Sequence, residues 1–76
     1  YRYGIPNGVE GVLIVKIKPD SKAAIQGIQE GDIIIQIENS EITNMDDLKA
    51  ALKQYAKKYK RVYINRRGQI LVAALR

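Results

Sequence analysis

The run Gly31-Asp32-Ile33-Ile34-Ile35-Gln36-Ile37 sets an acidic residue against the start of a segment that reads as a buried strand. A carboxylate at such a border is costly unless hydrogen-bond donors meet it. The chain must therefore turn sharply just upstream and aim N–H groups at Asp32. The preceding residues suit that turn. Asp20 or Ser21 can cap a short helix through Ala23, Ala24 and Ile25. Gly27 can close that helix with a positive φ, and Ile28 is the apolar residue that docks the returning chain. Gly31 supplies the backbone angle of a tight corner. Asp32 is expected to accept from loop N–H groups that would otherwise stand unpaired beside the core. Gly31 and Asp32 are thus read as a structural turn, and the nearly continuous apolar character of residues 33–37 as a strand covered on both faces.

The rest of the chain alternates in the same economical way. Residues 11–17, GVLIVKI, are rich in β-branched side chains and read as a strand, ended by Lys18-Pro19-Asp20 because proline cannot donate to a ladder. Glu38 to Glu41 form a turn, with Asn39 suited to the left-handed region, and Ile42 is a lone apolar residue in a short extended piece. Asn44 starts the one long helix, with Asp46 and Asp47 in its first turn. Met45, Leu48, Ala51, Leu52 and Tyr55 make its apolar stripe, and Lys49, Lys53 and Lys57 run down an adjoining line. Residues 60–66 and 69–76 are two strands joined through Arg66-Arg67-Gly68, a hairpin signal. The order is strand, short helix, strand, turn, long helix, hairpin. That predicts a mostly β fold with two helices, with residues 1–10 as a lead-in and 11–76 as the domain.

With 76 residues and neither Trp nor Phe, the core must be small and built from Ile, Leu, Val, Ala and a few Tyr. No apolar stretch approaches a membrane span, and no secretory signal is present. Tyr1 is not an initiator, so the chain is expected to be a mature fragment or an excised domain. The net charge is +5, and all eight carboxylates lie before Leu48 while nine of the thirteen basic residues lie from Lys49 onward. A basic half can serve nucleic acid, but the five tyrosines do not gather on one expected sheet face, and a solvated helix face plus a basic hairpin explains the charge.

Catalysis is not expected from this chain. Without His there is no imidazole base for a nucleophilic serine, and Ser21 and Ser40 fall at a helix start and a turn. The absence of Cys removes disulfides and thiolate metal sites, which suits a reducing compartment and equally an envelope protein that dispenses with disulfides. Asp46 and Asp47 point about 100° apart on a helix and cannot converge on one metal. Gly4, Gly8 and Gly11 do not form a phosphate loop. No cofactor, metal or catalytic residue is assigned.

The string KPDSKAAIQGIQEGDIIIQIENSEI resembles the core signature of PDZ domains: a P-x-S-x-A helix, G-[LI]-x-x-G-D, a buried strand and a polar turn. The ending RVYINRRGQILVAALR resembles the last two strands of the bacterial, circularly permuted type. The likeness is greatest to the C-terminal PDZ domain of HtrA/DegP-type envelope serine proteases, and YGIPNGVEGVLIVKI looks like that family's lead-in to its first shared strand. The resemblance implies a partly open antiparallel β-sandwich or barrel that binds extended peptides, often C-termini, as an added strand beside a helix. It places Met45, Lys49 and Leu52 toward the peptide, with Leu48 and Ala51 toward the core.

Tyr3-Gly4-Ile5 has the look of the family's carboxylate-binding loop. Only Pro6-Asn7-Gly8-Val9-Glu10 separates it from the next strand, too little for a peptide-pairing strand and a turn back. The expectation is that the loop and the pairing strand lie upstream of this chain. The resemblance further implies a non-catalytic regulatory or assembly module of a periplasmic or envelope serine endopeptidase. Its partners would be protein segments, C-terminal peptides or other subunits, and the fragment is expected to self-associate. Neither nucleic acid nor direct membrane insertion is implied. PDZ domains of site-2 or C-terminal processing proteases, or of secretion components, are the alternative parents; a basic nucleic-acid-binding module is the remote alternative.

Overall fold

A computed structural model describes residues 10–76. Its elements are β1 (Val12–Leu13), α1 (Lys22–Ile25), β2 (Ile33–Ile37), β3 (Ser40–Glu41), α2 (Met45–Gln54), β4 (Lys60–Arg66) and β5 (Gln69–Leu75). The strands form one open antiparallel sheet in the order β1-β2-β4-β5, with β3 also paired to β2. The chain is mostly β with two helices, as the element order indicates.

The first strand is much shorter than residues 11–17. Regular pairing covers Val12 and Leu13 opposite Ile34 and Ile33. Ile14 extends it by donating to the Asp32 carbonyl (2.8 Å) and accepting from Gly31 N–H (2.7 Å). Beyond Ile14 the facing chain is already the corner ahead of β2, so β2 offers no further pairing there. The Ile17 N–H is met instead by the Glu30 carboxylate at 3.1 Å. Gly11 fits because its backbone lies against β2: a Cβ there would strike the Ile34 carbonyl and come within 2.7 Å of Ile33 Cγ2.

β2 carries a bulge that decides which isoleucines reach the core. Its register with β4 runs Ile33↔Asn65 and Ile34↔Ile64, then shifts to Gln36↔Tyr63 and Ile37↔Val62. In a regular strand Ile34 and Ile37, three apart, would face opposite sides. The extra residue turns both to the side of Val62 and Ile64. Ile37, Val62, Ile64, Ile28, Ile42, Ala51 and Ala73 form the buried core, with Ile34 packed against it. Both helices join that cluster, α1 through Ala23 and α2 through Leu48, Ala51 and Tyr55. Along β2 only Ile33 and Ile37 are fully buried; Ile34, Ile35 and Gln36 are half-buried, so the strand is less enclosed than its composition implies.

Local details refine the sequence reading. Ser21, not Asp20, caps α1, its Oγ accepting from Ala24 N–H at 3.2 Å. In the turn after β2 it is Glu38, with φ 49°, that takes the left-handed region rather than Asn39. That conformation is held because Glu38 Oε2 accepts from the Arg61 N–H (2.6 Å) and Oε1 from Arg61 Nη2 (3.0 Å). α2 ends at Gln54, so Lys57, with φ 63°, lies off the helix and off the line of Lys49 and Lys53. The hairpin uses Arg67 and Gly68, with φ 54° and 87°, as the two positive-φ residues that suit the twist of paired strands.

Candidate functional site

α2 is fixed at both ends. Asn44 Oδ1 accepts from Asp47 N–H (2.8 Å), while Asp47 Oδ2 accepts from the Thr43 N–H (3.0 Å) and hydroxyl (2.7 Å). The Thr43 hydroxyl and N–H, outweighing what burial adds, hold the Asp47 carboxyl below its usual range. At the other end the buried Lys60 ammonium donates to the carbonyls of Tyr55 (3.2 Å) and Lys58 (3.1 Å). A cation there meets the negative end of the helix dipole.

Anchored in this way, α2 turns Ala51 and Leu48 inward. It leaves Met45 and Leu52 exposed, at 52% and 43%. Lys49 is also exposed and lies between them on the same flank, at helical spacings of four and three residues. On β1, the alternation of an antiparallel ladder turns the N–H and C=O of Leu13 away from β2. No strand pairs with that side among the described residues. Val12 and Ile14 pack against the same core as Leu48. The arrangement offers backbone donors and acceptors on a strand edge and an apolar helix flank that carries the Lys49 cation.

The corner that secures β1 is separate from this flank. Gly31 has φ 94°, and Asp32 is only 1% exposed. Its Oδ2 accepts from Gln29 N–H at 2.8 Å. The larger partner was not legible beforehand: Arg66 Nε donates to Asp32 Oδ1 and Nη2 to Asp32 Oδ2, both at 2.8 Å, and Nη2 also donates to the Gly27 carbonyl at 2.8 Å. Burial pushes the Asp32 carboxyl up, but the hydrogen bonds from Arg66 and Gln29 and the Arg66 charge together outweigh it, leaving the pKa below normal. Arg66 stands 34 residues away in sequence and reaches Asp32 only because β4 ends beside the start of β2. No local pattern could have paired them. A cleft of about 300 Å³ opens beside Arg66, floored by Ile64, Leu71 and Ala73; Met45, Lys49 and Leu52 do not line it.

Tyr3-Gly4-Ile5 lies outside the described residues. Among the described residues no cluster of three or more His, Cys, Asp or Glu side chains could hold a metal. No described helix is long and apolar enough to cross a membrane.

The open antiparallel sheet with two helices, a strand edge and an exposed helix flank has the layout of a PDZ-like fold. The chain belongs to the PDZ domain family, whose model matches residues 13–65. Within that family its similarity runs to the HtrA/DegP proteases. It is 39% identical over 49 residues to serine protease HTRA1 of Xenopus tropicalis, covering 64% of this chain and 11% of the relative. It is 46% identical over 46 residues to a probable periplasmic serine protease do/HhoA-like of Haemophilus influenzae, covering 60% of this chain and 10% of the relative. The chain thus spans about a tenth of the length of these curated relatives. The solved HtrA3 PDZ domain, bound to the phage-derived ligand FGRWV, matches with a TM-score of 0.77. That match covers 87% of this chain and 62% of the other at 21% identity, a likeness of fold.

Proposed function

We propose that this domain binds extended protein segments, C-termini among them, by strand addition along β1 beside α2. In that reading it acts as a regulatory or assembly module of an HtrA-like serine endopeptidase of the periplasm or cell envelope. The binding reading is carried by a β1 edge without a partner strand among the described residues and by Met45, Lys49 and Leu52 exposed on α2, with Val12, Ile14 and Leu48 packed on one core. Extended peptides use such edges for main-chain hydrogen bonds and such flanks for side-chain selection. The peptide bound to the HtrA3 PDZ domain and the protease relatives support the same reading.

Titrating the chain with C-terminal peptides while following backbone amide NMR signals tests it. Shifts are expected at Leu13, Met45, Lys49 and Leu52, and Leu52→Glu is expected to weaken binding. Shifts confined to the cleft beside Arg66 would place recognition elsewhere. The parent is tested by the sequence upstream: a G-N-S-G-G-like stretch supports the HtrA assignment, and an H-E-x-x-H motif refutes it.

A further inference from the structure

We propose that the α2 flank selects peptides that carry an acidic residue among apolar ones, with Lys49 reading the charge. This builds on the peptide-binding reading and adds the chemistry of the peptide. Met45 and Leu52 stand about 10 Å apart along the helix axis, the length of about three residues of extended chain. A segment seated across both meets the Lys49 ammonium between two apolar contacts. Lys53 follows Lys49 by one turn on the same side and is also exposed.

The chain's own carboxylates leave that charge unanswered. Asp32 is held by Arg66 and Glu38 by Arg61, and these are the ion pairs among the described residues. Asp47 is committed to Thr43, and Glu30 accepts from Ile17 N–H. Asp46, three residues before Lys49, does not come within ion-pair distance of it, and residues 1–9 contain no Asp or Glu. An acidic side chain on the peptide therefore meets an ammonium that no ion pair among the described residues holds, on a domain whose net charge of +5 already favours acidic partners. A hydroxyl or amide would gain less, and a basic residue would meet like charge.

The test is fluorescence anisotropy with labelled valine-glycine nonapeptides in which one scanned position is glutamate, glutamine or lysine. At the best position glutamate is expected to bind about two- to fivefold more tightly than glutamine, the range for exposed ion pairs. The preference should shrink as salt rises. Lys49→Glu is expected to reverse the order so that the lysine peptide binds best. Lys22→Glu, on α1 and away from the flank, makes the same change in net charge and is expected to keep the original order. Equal binding of all three peptides would overturn the charge selection while leaving peptide binding in place. Reversal in both variants would overturn the role of Lys49 and leave a net-charge effect. Failure of every peptide to bind would overturn the peptide reading and this inference together. A single-stranded oligonucleotide that displaces the peptide in a Lys49-dependent manner would assign the flank to phosphates instead.

Discussion

Asp32 shows how one residue holds the corner that the fold turns on. Its carboxylate ties the local loop at Gln29 to Arg66, the last residue of β4 and 34 residues away, and Arg66 in turn donates to the Gly27 carbonyl just after α1. Asp32→Ala removes the acceptor for Gln29 N–H and for Arg66 Nε and Nη2, leaving Arg66 with its bond to the Gly27 carbonyl. It is expected to lower stability by about 1–3 kcal/mol, read as a reduced urea midpoint. In a domain this small that is a large share of the total. Combining it with Arg66→Ala should cost less than the two single changes added, since they share one interaction; full additivity would mean the pair is not coupled. The same carboxylate sets an acid limit. Its folded pKa lies below the ordinary value of 3.8, so as pH falls the unfolded chain takes up the proton first. The stabilisation is present above that value and is lost as pH drops through the lower folded pKa. Urea midpoints should therefore fall at acidic pH, and Asp32→Asn should flatten part of that fall; an unchanged slope in the variant would remove Asp32 from the effect.

At the scale of the element, α2 divides its work between adjacent residues. Leu48 packs against the core while Lys49 is exposed. Leu48→Ala is expected to cost about 2 kcal/mol, toward the low end for leucine truncation because the side chain is half-buried. Lys49→Ala should stay within about 0.5 kcal/mol in stability, as surface changes do. Thermal unfolding of both variants checks the helix phase, and a larger loss at Lys49 would show that the phase is wrong. The short β1 is the complementary element. Its two paired residues, opposite Ile34 and Ile33, are continued by Ile14, which backbone contacts with Gly31 and Asp32 hold in place. Anything that loosens the corner should loosen the strand edge along which a peptide is proposed to add.

On the whole-molecule scale, the described sheet ends in β1 on one side and β5 on the other. β5 carries no charged residue from Gln69 to Leu75, and Ile70 and Val72 are exposed on it. Uncharged edges beside apolar surface recruit further chains. The 76-residue chain is accordingly expected to self-associate with rising concentration in sedimentation velocity. Its net charge opposes this, so added salt should promote it. Val72→Lys should suppress association by placing a charge on the edge strand. A sedimentation coefficient independent of concentration and salt would refute the expectation.

Apart from β3, whose residues read as part of a turn and pair with β2, the sequence by itself determined the elements and their order, because those follow from short-range chemistry. The caps at Ser21 and Asn44, the positive φ at Gly31, the apolar stripe of α2 and the Arg67-Gly68 hairpin are written within a few residues of where they act. The helix, corner, strand and turn of residues 18–42, with the last two strands, carried the resemblance to the family. What only the tertiary structure decided involves partners far apart along the chain. Arg66 was invisible as the partner of Asp32, the bulge that turns both Ile34 and Ile37 inward is set by pairing with β4, and the loss of strand after Ile14 follows from the Gly31-Asp32 corner, which ends the pairing with β2. Glu38 took the left-handed position expected of Asn39 because Arg61, on another strand, holds its side chain. Local preference differs by little between neighbouring residues in a turn, and a single charge-assisted contact from across the sheet is enough to decide between them.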